Sequence, residues 1–184
     1  MSEVVFFLEE PSAKAMLEAF LPKLMPATVR CRYIVFEGKQ DLEKQMVKRM
    51  RGYRAPGARF VVLRDKDSED CQQVKNRLVE KCVEAGHPSS LVRVACHELE
   101  SWYLADLAAV EAGLEVRGLT RHQQRAPYNQ PDDLTAPARK LQALAPSYQK
   151  VGGSRAIAPH LDPENTRSRS FGVFVAGIRK LVGE

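Results

Sequence analysis

Four short apolar runs divide the first half of the chain. Each run is rich in β-branched and aromatic residues, as is typical of strands that are buried on both faces. The runs occupy residues 3–8, 33–36, 59–64 and 91–96. Between them, apolar residues recur every three to four positions, which predicts amphipathic helices. The alternation of strands and helices predicts an α/β protein with a TOPRIM/Rossmann-like, mostly parallel sheet and helices on both of its faces.

Capping and breaking residues limit the helices between these strands. Pro11 suits the first turn of a helix, and Pro26 stops the apolar spacing that follows. A second helix is predicted over residues 41–51. Ser68 is the predicted N-cap of a third helix, which Gly86 ends.

The strand signal fades in the second half of the chain, which is rich in Pro, Arg, Asn and Asp. Short helices are predicted at residues 136–144 and 171–181. We therefore predict an α/β core over residues 1–107 and a helical and loop extension over residues 108–184 that packs on it.

Composition narrows the class of protein. With 184 residues, 44% hydrophobic and 28% charged, the chain is typical of a globular protein. It lacks a basic leader and a long apolar stretch, so we expect a cytoplasmic protein with no membrane contact. The four cysteines lack the spacing of a zinc site or a disulfide framework.

Acidic residues follow two of the predicted strands. Glu9 comes after the first strand, and Asp65 and Asp67 come after the third. Ligand sites in parallel sheets form beyond the carboxyl ends of the strands. In an extended segment Asp65 and Asp67 project the same way. Because clustered carboxylates repel one another without a cation, these three residues predict a Mg²⁺ or Mn²⁺ site.

Two further acids, Glu98 and Glu100, follow the fourth strand. One interpretation gives them a catalytic or metal-binding role beside Glu9, Asp65 and Asp67. The alternative is structural, with carboxylates that accept hydrogen bonds from helix-start amides or pair with arginines.

Cations are concentrated in the second predicted helix and its following loop, and the net charge is +5. Such a run suits nucleic-acid phosphates, and the alternative is a solvent-exposed helix face. Cations of the second half of the chain have the same two interpretations. The candidate nucleic-acid contacts are Lys44, Lys48, Arg49, Arg51, Arg54, Lys150 and Arg155.

Several segments carry a resemblance to a known family. They are LEEPSAK at residues 8–14, FEGKQDL at 36–42, VLRDKDS at 62–68, ELESWYLAD at 98–106, YQK at 148–150 and SF at 170–171. Together they resemble the bacterial family called domain of unknown function 4276. That family is similar to the TOPRIM domains of topoisomerases, primases and overcoming-lysogenization-defect nucleases.

The resemblance implies magnesium-dependent phosphodiester chemistry. Glu9 matches the family's first glutamate, and Asp65 and Asp67 match its Asp-x-Asp pair. The chain departs from the related nucleases at Glu10, which stands in a glycine position, and at Ala13 or Lys14, where a second glutamate is expected.

The resemblance also implies a partner and a setting, because family members often stand beside an AAA or ABC-type ATPase in bacterial phage-defence or DNA-repair loci. Two hypotheses follow. The chain is either a metal-dependent nuclease-like subunit of such a system or a non-catalytic regulatory module that binds the ATPase.

Overall fold

A single sheet of four parallel strands organises the protein. The computed structural model describes residues 3–183. The strands are β1 (Glu3–Leu8), β2 (Arg30–Val35), β3 (Arg59–Asp65) and β4 (Leu91–Ala95). Their spatial order is β2-β1-β3-β4, and every neighbouring pair is parallel. The predicted α/β class and parallel sheet are confirmed.

Helices cover both faces of this sheet. They are α1 (Pro11–Phe20), α2 (Lys39–Arg51), α3 (Cys71–Glu84), α4 (Glu100–Leu104), α5 (Leu107–Leu114), α6 (Pro137–Leu144), α7 (Lys150–Ile157) and α8 (Arg169–Val182). The apolar residues of α2 and α3 pack on one face, and those of α1, α4, α5 and α8 pack on the other.

Alternation along the strands separates two apolar cores. Val4, Phe6 and Leu8 of β1 belong to the α1 side of the sheet. Val5 and Phe7 belong to the α2 side. All five are fully buried, because β1 lies between β2 and β3 and is covered on both faces.

Two local predictions are wrong in their boundaries. β2 begins at Arg30, three residues before the predicted start, because it is an edge strand whose exposed residues Arg30 and Arg32 interrupt the apolar run. Asp70, and not Ser68, caps α3, since its carboxylate accepts a hydrogen bond of 2.9 Å from the Gln73 amide.

The second half of the chain packs on the α1 side through close helix contacts. The Gly153 backbone of α7 lies on the Tyr148 ring, and an added Cβ there would lie 2.3 Å from the Tyr148 Cδ2 atom. Gly113 of α5 packs equally closely on the backbone of Ala156. These glycines bring α5 and α7 to van der Waals distance of their neighbours. Within residues 3–183, no helix combines the length and apolar character needed to cross a membrane.

Candidate functional site

Two neighbouring strand ends bring Glu9 and Asp65 together. Leu8, the last residue of β1, is in register with Leu63 of β3. Glu9 therefore follows β1 beside the end of β3, and its Oε2 accepts a hydrogen bond of 3.2 Å from the Asp65 amide. The two acids share the carboxyl edge of the sheet.

Four carboxylates meet at this edge of the sheet. We call Glu9, Glu10, Asp65 and Glu100 the acidic cluster. Burial raises the pKa of Asp65 well above its ordinary value, and the charges of Glu10, Glu9 and Glu100 raise it further. Burial also raises the pKa of Glu9, although the hydrogen bond from the Asp65 amide opposes the shift. The cluster therefore holds more negative charge than its surroundings neutralise.

Glu100 is the most deeply buried member of the cluster. It opens α4 and is 1% exposed. Its Oε1 accepts a hydrogen bond of 2.8 Å from the Tyr148 hydroxyl, whereas its Oε2 has no hydrogen-bond partner among the described residues. A buried carboxylate oxygen without a partner is costly, so a cation or a water molecule suits this position.

Lys150 supplies the positive charge nearest the cluster. It opens α7 on the α1 side of the sheet, and its Nζ lies 2.7 Å from Glu10 Oε2. Burial lowers the pKa of Lys150, but Glu10, Glu100 and Asp65 together raise it above its ordinary value. Lys150 is a predicted nucleic-acid contact, and the structure places it against the acids.

Asp67 does not project beside Asp65, and this geometric prediction is wrong. β3 ends at Asp65, and Asp67 has a left-handed backbone with a φ of 54°. The alternation rule for extended strands therefore does not apply to it. Its carboxylate instead pairs with Lys39 Nζ at 2.7 Å. Asp67 still lies near enough to Glu9 for its charge to raise the pKa of Glu9.

An ionic network lies on the α2 side of the same strand end. We define the ionic network as Lys39, Glu43, Arg64, Asp67, Glu69 and Arg77. Arg64 is at its centre, with a fully buried side chain that donates to Glu43 and Glu69. Its Nε also lies 3.9 Å from Glu9 Oε2, so the network touches the acidic cluster. A buried guanidinium requires such partners.

The remaining acid among the predicted site residues has a structural partner. Glu98 Oε2 accepts a hydrogen bond of 2.7 Å from the Ala138 amide in the first turn of α6. This is the helix-start interaction that the structural interpretation expects. The two acids therefore have different partners: the Glu98 carboxylate bonds to the start of α6, and Glu100 belongs to the acidic cluster.

Most of the predicted cationic contacts lie away from the acids. α2 starts near Asp67 at Lys39 and ends at Arg51, which donates to the Glu84 carbonyl at the end of α3. The following Tyr53 donates to Glu3, the first residue of β1. The far end of α2 is thus at the amino edge of the sheet. The predicted contacts in this part are Lys48, Arg49, Arg51 and Arg54, and Lys44 lies midway along α2. The exposed Arg155 follows Lys150 on α7.

Sequence reasoning missed Glu10, Lys39 and Arg64. Arg64 has a recognisable signal, since a charged residue inside a buried apolar strand requires partners. Glu10 and Lys39 have none, because their partners Lys150 and Asp67 lie 140 and 28 residues away along the chain.

A parallel α/β sheet with carboxylates gathered beyond its strand ends defines the general class of this protein. The chain belongs to the family described as Domain of unknown function (DUF4276), whose model matches residues 8–179. The predicted membership is confirmed. No curated protein sequence matches the chain.

A solved structure supports the fold over its whole length. The chain resembles the C-terminal region of the Burkholderia pseudomallei OLD protein with a TM-score of 0.55 and 17% identity, over 98% of each chain. The predicted resemblance to an overcoming-lysogenization-defect protein is therefore confirmed for the fold.

Proposed function

We propose that the protein is a Mg²⁺- or Mn²⁺-dependent subunit that acts on nucleic-acid phosphodiesters. The observation that carries this proposal is the acidic cluster, in which Glu9, Asp65 and Glu100 are crowded and mostly buried. Carboxylates in such an arrangement need a cation, and hard oxygen ligands favour Mg²⁺ and Mn²⁺.

The donor set fits a hard divalent ion. The unpartnered Glu100 Oε2 and the raised pKa of Asp65 both indicate missing positive charge. Within residues 3–183, however, no three acidic, histidine or cysteine side chains stand in a ready-made coordination geometry. Binding therefore requires side-chain rotation, for which the partly exposed Glu9 and Asp67 have room.

Each residue has a distinct role in this proposal. Glu9, Asp65 and Glu100 hold the ion, and Asp67 joins them when it leaves Lys39. A bound ion of this kind polarises a phosphoryl oxygen and lowers the pKa of an attacking water. Glu98 positions α6 and has no direct part in the chemistry.

Cations near the cluster supply the phosphate contacts. Lys39 and Lys150 already lie against Asp67 and Glu10, at the edge where a phosphate backbone meets the acids. Arg155 extends this surface along α7. The cations of α2 remain predicted contacts, at a greater distance from the cluster.

The proposed partner is an AAA or ABC-type ATPase in a bacterial defence or repair system. This part of the proposal rests on the family resemblance and on the fold shared with the C-terminal region of the OLD protein.

A manganese titration with paired variants tests the metal site. We expect Mn²⁺ to raise the melting temperature of the wild type. At a Mn²⁺ concentration of 100 times the Kd, the free energy of unfolding should increase by about 2.7 kcal/mol. The Asp65→Asn variant should lose this response and any Mn²⁺-supported cleavage of plasmid or single-stranded DNA.

Asp70→Asn is the matched control. Asp70 also follows β3, and asparagine replaces aspartate as an N-cap with little loss, so this variant should respond to Mn²⁺ as the wild type does. Equal Mn²⁺ responses in the Asp65→Asn variant and the wild type contradict the proposed site.

The second candidate function is a non-catalytic regulatory module. Two observations favour it. Lys39 and Lys150 already pair with Asp67 and Glu10, and Ala13 or Lys14 stands at the position where related nucleases have a second glutamate. If Mn²⁺ neither stabilises the wild type nor supports cleavage, alone or with the neighbouring ATPase, the module is the better hypothesis.

A further inference from the structure

The outer edge of the sheet at β2 is open. β2 pairs only with β1, and no other strand lies on its outer side within residues 3–183. Among the described backbone hydrogen bonds outside regular elements, none involves Arg30–Val35. Since alternate peptide groups of an edge strand point outward, β2 presents unpaired amides and carbonyls to a partner.

A groove lies on each side of this edge. On the α2 side, a groove of about 540 Å³ is lined by Ile34, Gln45, Lys48, Arg49, Gly52 and Tyr53. On the α1 side, a groove of about 320 Å³ is lined mainly by apolar residues. They include Leu21, Pro22, Met25, Pro26, Val29 and Tyr33. Each face of the edge therefore has its own receptor surface.

The two grooves differ in charge. No acidic residue lines the α2-side groove, and neither Lys48 nor Arg49 has a side-chain partner among the described residues. Arg32 is exposed on the same face of β2, as the alternation with Cys31 and Tyr33 requires. The acid beside this groove is Glu3, which already accepts a hydrogen bond from Tyr53 and lies 3.8 Å from Arg30. The α1-side groove carries one acid, Glu18, which already pairs with Lys14. One groove is basic and the other is apolar.

We propose that β2 is a docking edge for an extended segment of another protein in which acidic and apolar side chains alternate. Such a segment adds a fifth strand to the sheet through main-chain hydrogen bonds. Its side chains alternate between the faces, so its acidic residues enter the basic groove and its apolar residues enter the apolar groove. The proposal does not depend on the acidic cluster.

A second copy of this chain fits the edge poorly. Twofold pairing of two β2 strands opposes Arg30 to Arg32 of the other copy when it is centred on Cys31, and Arg32 to Arg32 when it is centred on Arg32. Like charges opposed across strands are destabilising. Charge complementarity therefore selects an acidic partner.

The test uses the full chain and defined peptides. A peptide of alternating valine and glutamate is compared with one of alternating valine and lysine, and with one that has the first composition in two blocks. We expect measurable binding of the first peptide alone, and slower hydrogen exchange at the amides of residues 30–35 when it is bound. Equal binding of all three peptides overturns the proposal.

Charge-reversed variants locate the binding surface. Lys48→Glu together with Arg49→Glu should weaken binding of the valine-glutamate peptide by at least about tenfold. Arg139→Glu is the control, because Arg139 is an exposed cation of α6, which packs on α4 and not on α2. It should change affinity by less than about twofold.

Three outcomes of these experiments overturn the proposal. One is an equal loss of peptide binding in the Arg139→Glu control. Another is unchanged exchange at residues 30–35 with bound peptide. The third is binding of single-stranded DNA that depends on Lys48 and Arg49 without any peptide binding, which assigns this face to nucleic acid.

Discussion

At the end of β3, cations and carboxylates are matched in number on one face of the sheet and unmatched on the other. Arg64 points to the α2 side, where the ionic network balances three cations, Lys39, Arg64 and Arg77, against three carboxylates. Asp65 points to the α1 side and belongs to the acidic cluster, in which four carboxylates have only Lys150 and, 3.9 Å from Glu9, Arg64 as nearby cations among the described residues. Consecutive residues of one strand thus belong to a balanced site and to an unbalanced one.

The difference separates a structural role from a ligand-binding role. A buried ion pair whose charges are matched holds elements together, and Arg64 joins β3 to α2 and α3 in this way. A cluster with excess charge is less stable by itself and gains stability from a ligand of opposite charge. The ionic network is therefore expected to respond to mutation by unfolding, and the acidic cluster by a change in metal binding.

The largest effect is expected in the ionic network. Glu43→Gln together with Glu69→Gln leaves the buried Arg64 without its two main partners, and should lower the free energy of unfolding by about 3 kcal/mol. Urea denaturation measures the loss. Glu80→Gln, on an exposed position of α3, is the control and should change stability by less than about 0.5 kcal/mol. A double variant as stable as the control shows that Arg64 does not need these carboxylates.

In the acidic cluster, removing a charge should increase the stability of the protein and not lower it. Without metal, Asp65→Asn should raise the free energy of unfolding at neutral pH by roughly 1 kcal/mol, because it removes a crowded, mostly buried charge.

The pH dependence of this gain has a definite sign. The raised pKa of Asp65 means that, above the ordinary value of 3.8, the native state keeps a proton that the unfolded state releases. Wild-type stability then falls as pH rises from 3.8 through the raised pKa, whereas the asparagine variant lacks this fall. The gain should be absent below pH 3.8 and complete above the raised pKa, and denaturation across pH measures it. A gain that is equal at all pH values contradicts the assigned cause.

The central strands were predictable from sequence, and the edge strand was less so. β1 and β3 carry continuous apolar runs because both faces are covered, and their predicted starts are correct. β2 alternates exposed arginines with half-buried residues, so only its second half looks like a strand.

The acidic site was predictable only where the strands themselves place its residues. Glu9 and Asp65 follow strands that are neighbours in the sheet, and their proximity follows from a parallel topology. The position of Asp67 depends on where β3 ends, which one apolar run does not reveal. Lys150 reaches Glu10 through the packing of α7 on α1, a contact between distant parts of the chain.

The smallest expected change in stability concerns Lys39, which pairs with Asp67 at the border between the ionic network and the acidic cluster. Both side chains are more than one third exposed, so Lys39→Met should change the free energy of unfolding by less than about 1 kcal/mol.

Metal affinity should change more than stability in this variant. If Asp67 contributes to Mn²⁺ binding, Lys39 competes with the ion for the same carboxylate, and its removal should tighten binding about threefold to tenfold, equivalent to about 1 kcal/mol. Isothermal titration with Mn²⁺ measures this, and Lys44→Met removes an exposed cation from the same helix as the control. Tighter binding in both variants indicates only a general effect of charge. If the Lys39 variant binds Mn²⁺ with unchanged affinity, Asp67 is not a ligand, and the proposed metal site consists of the acidic cluster alone.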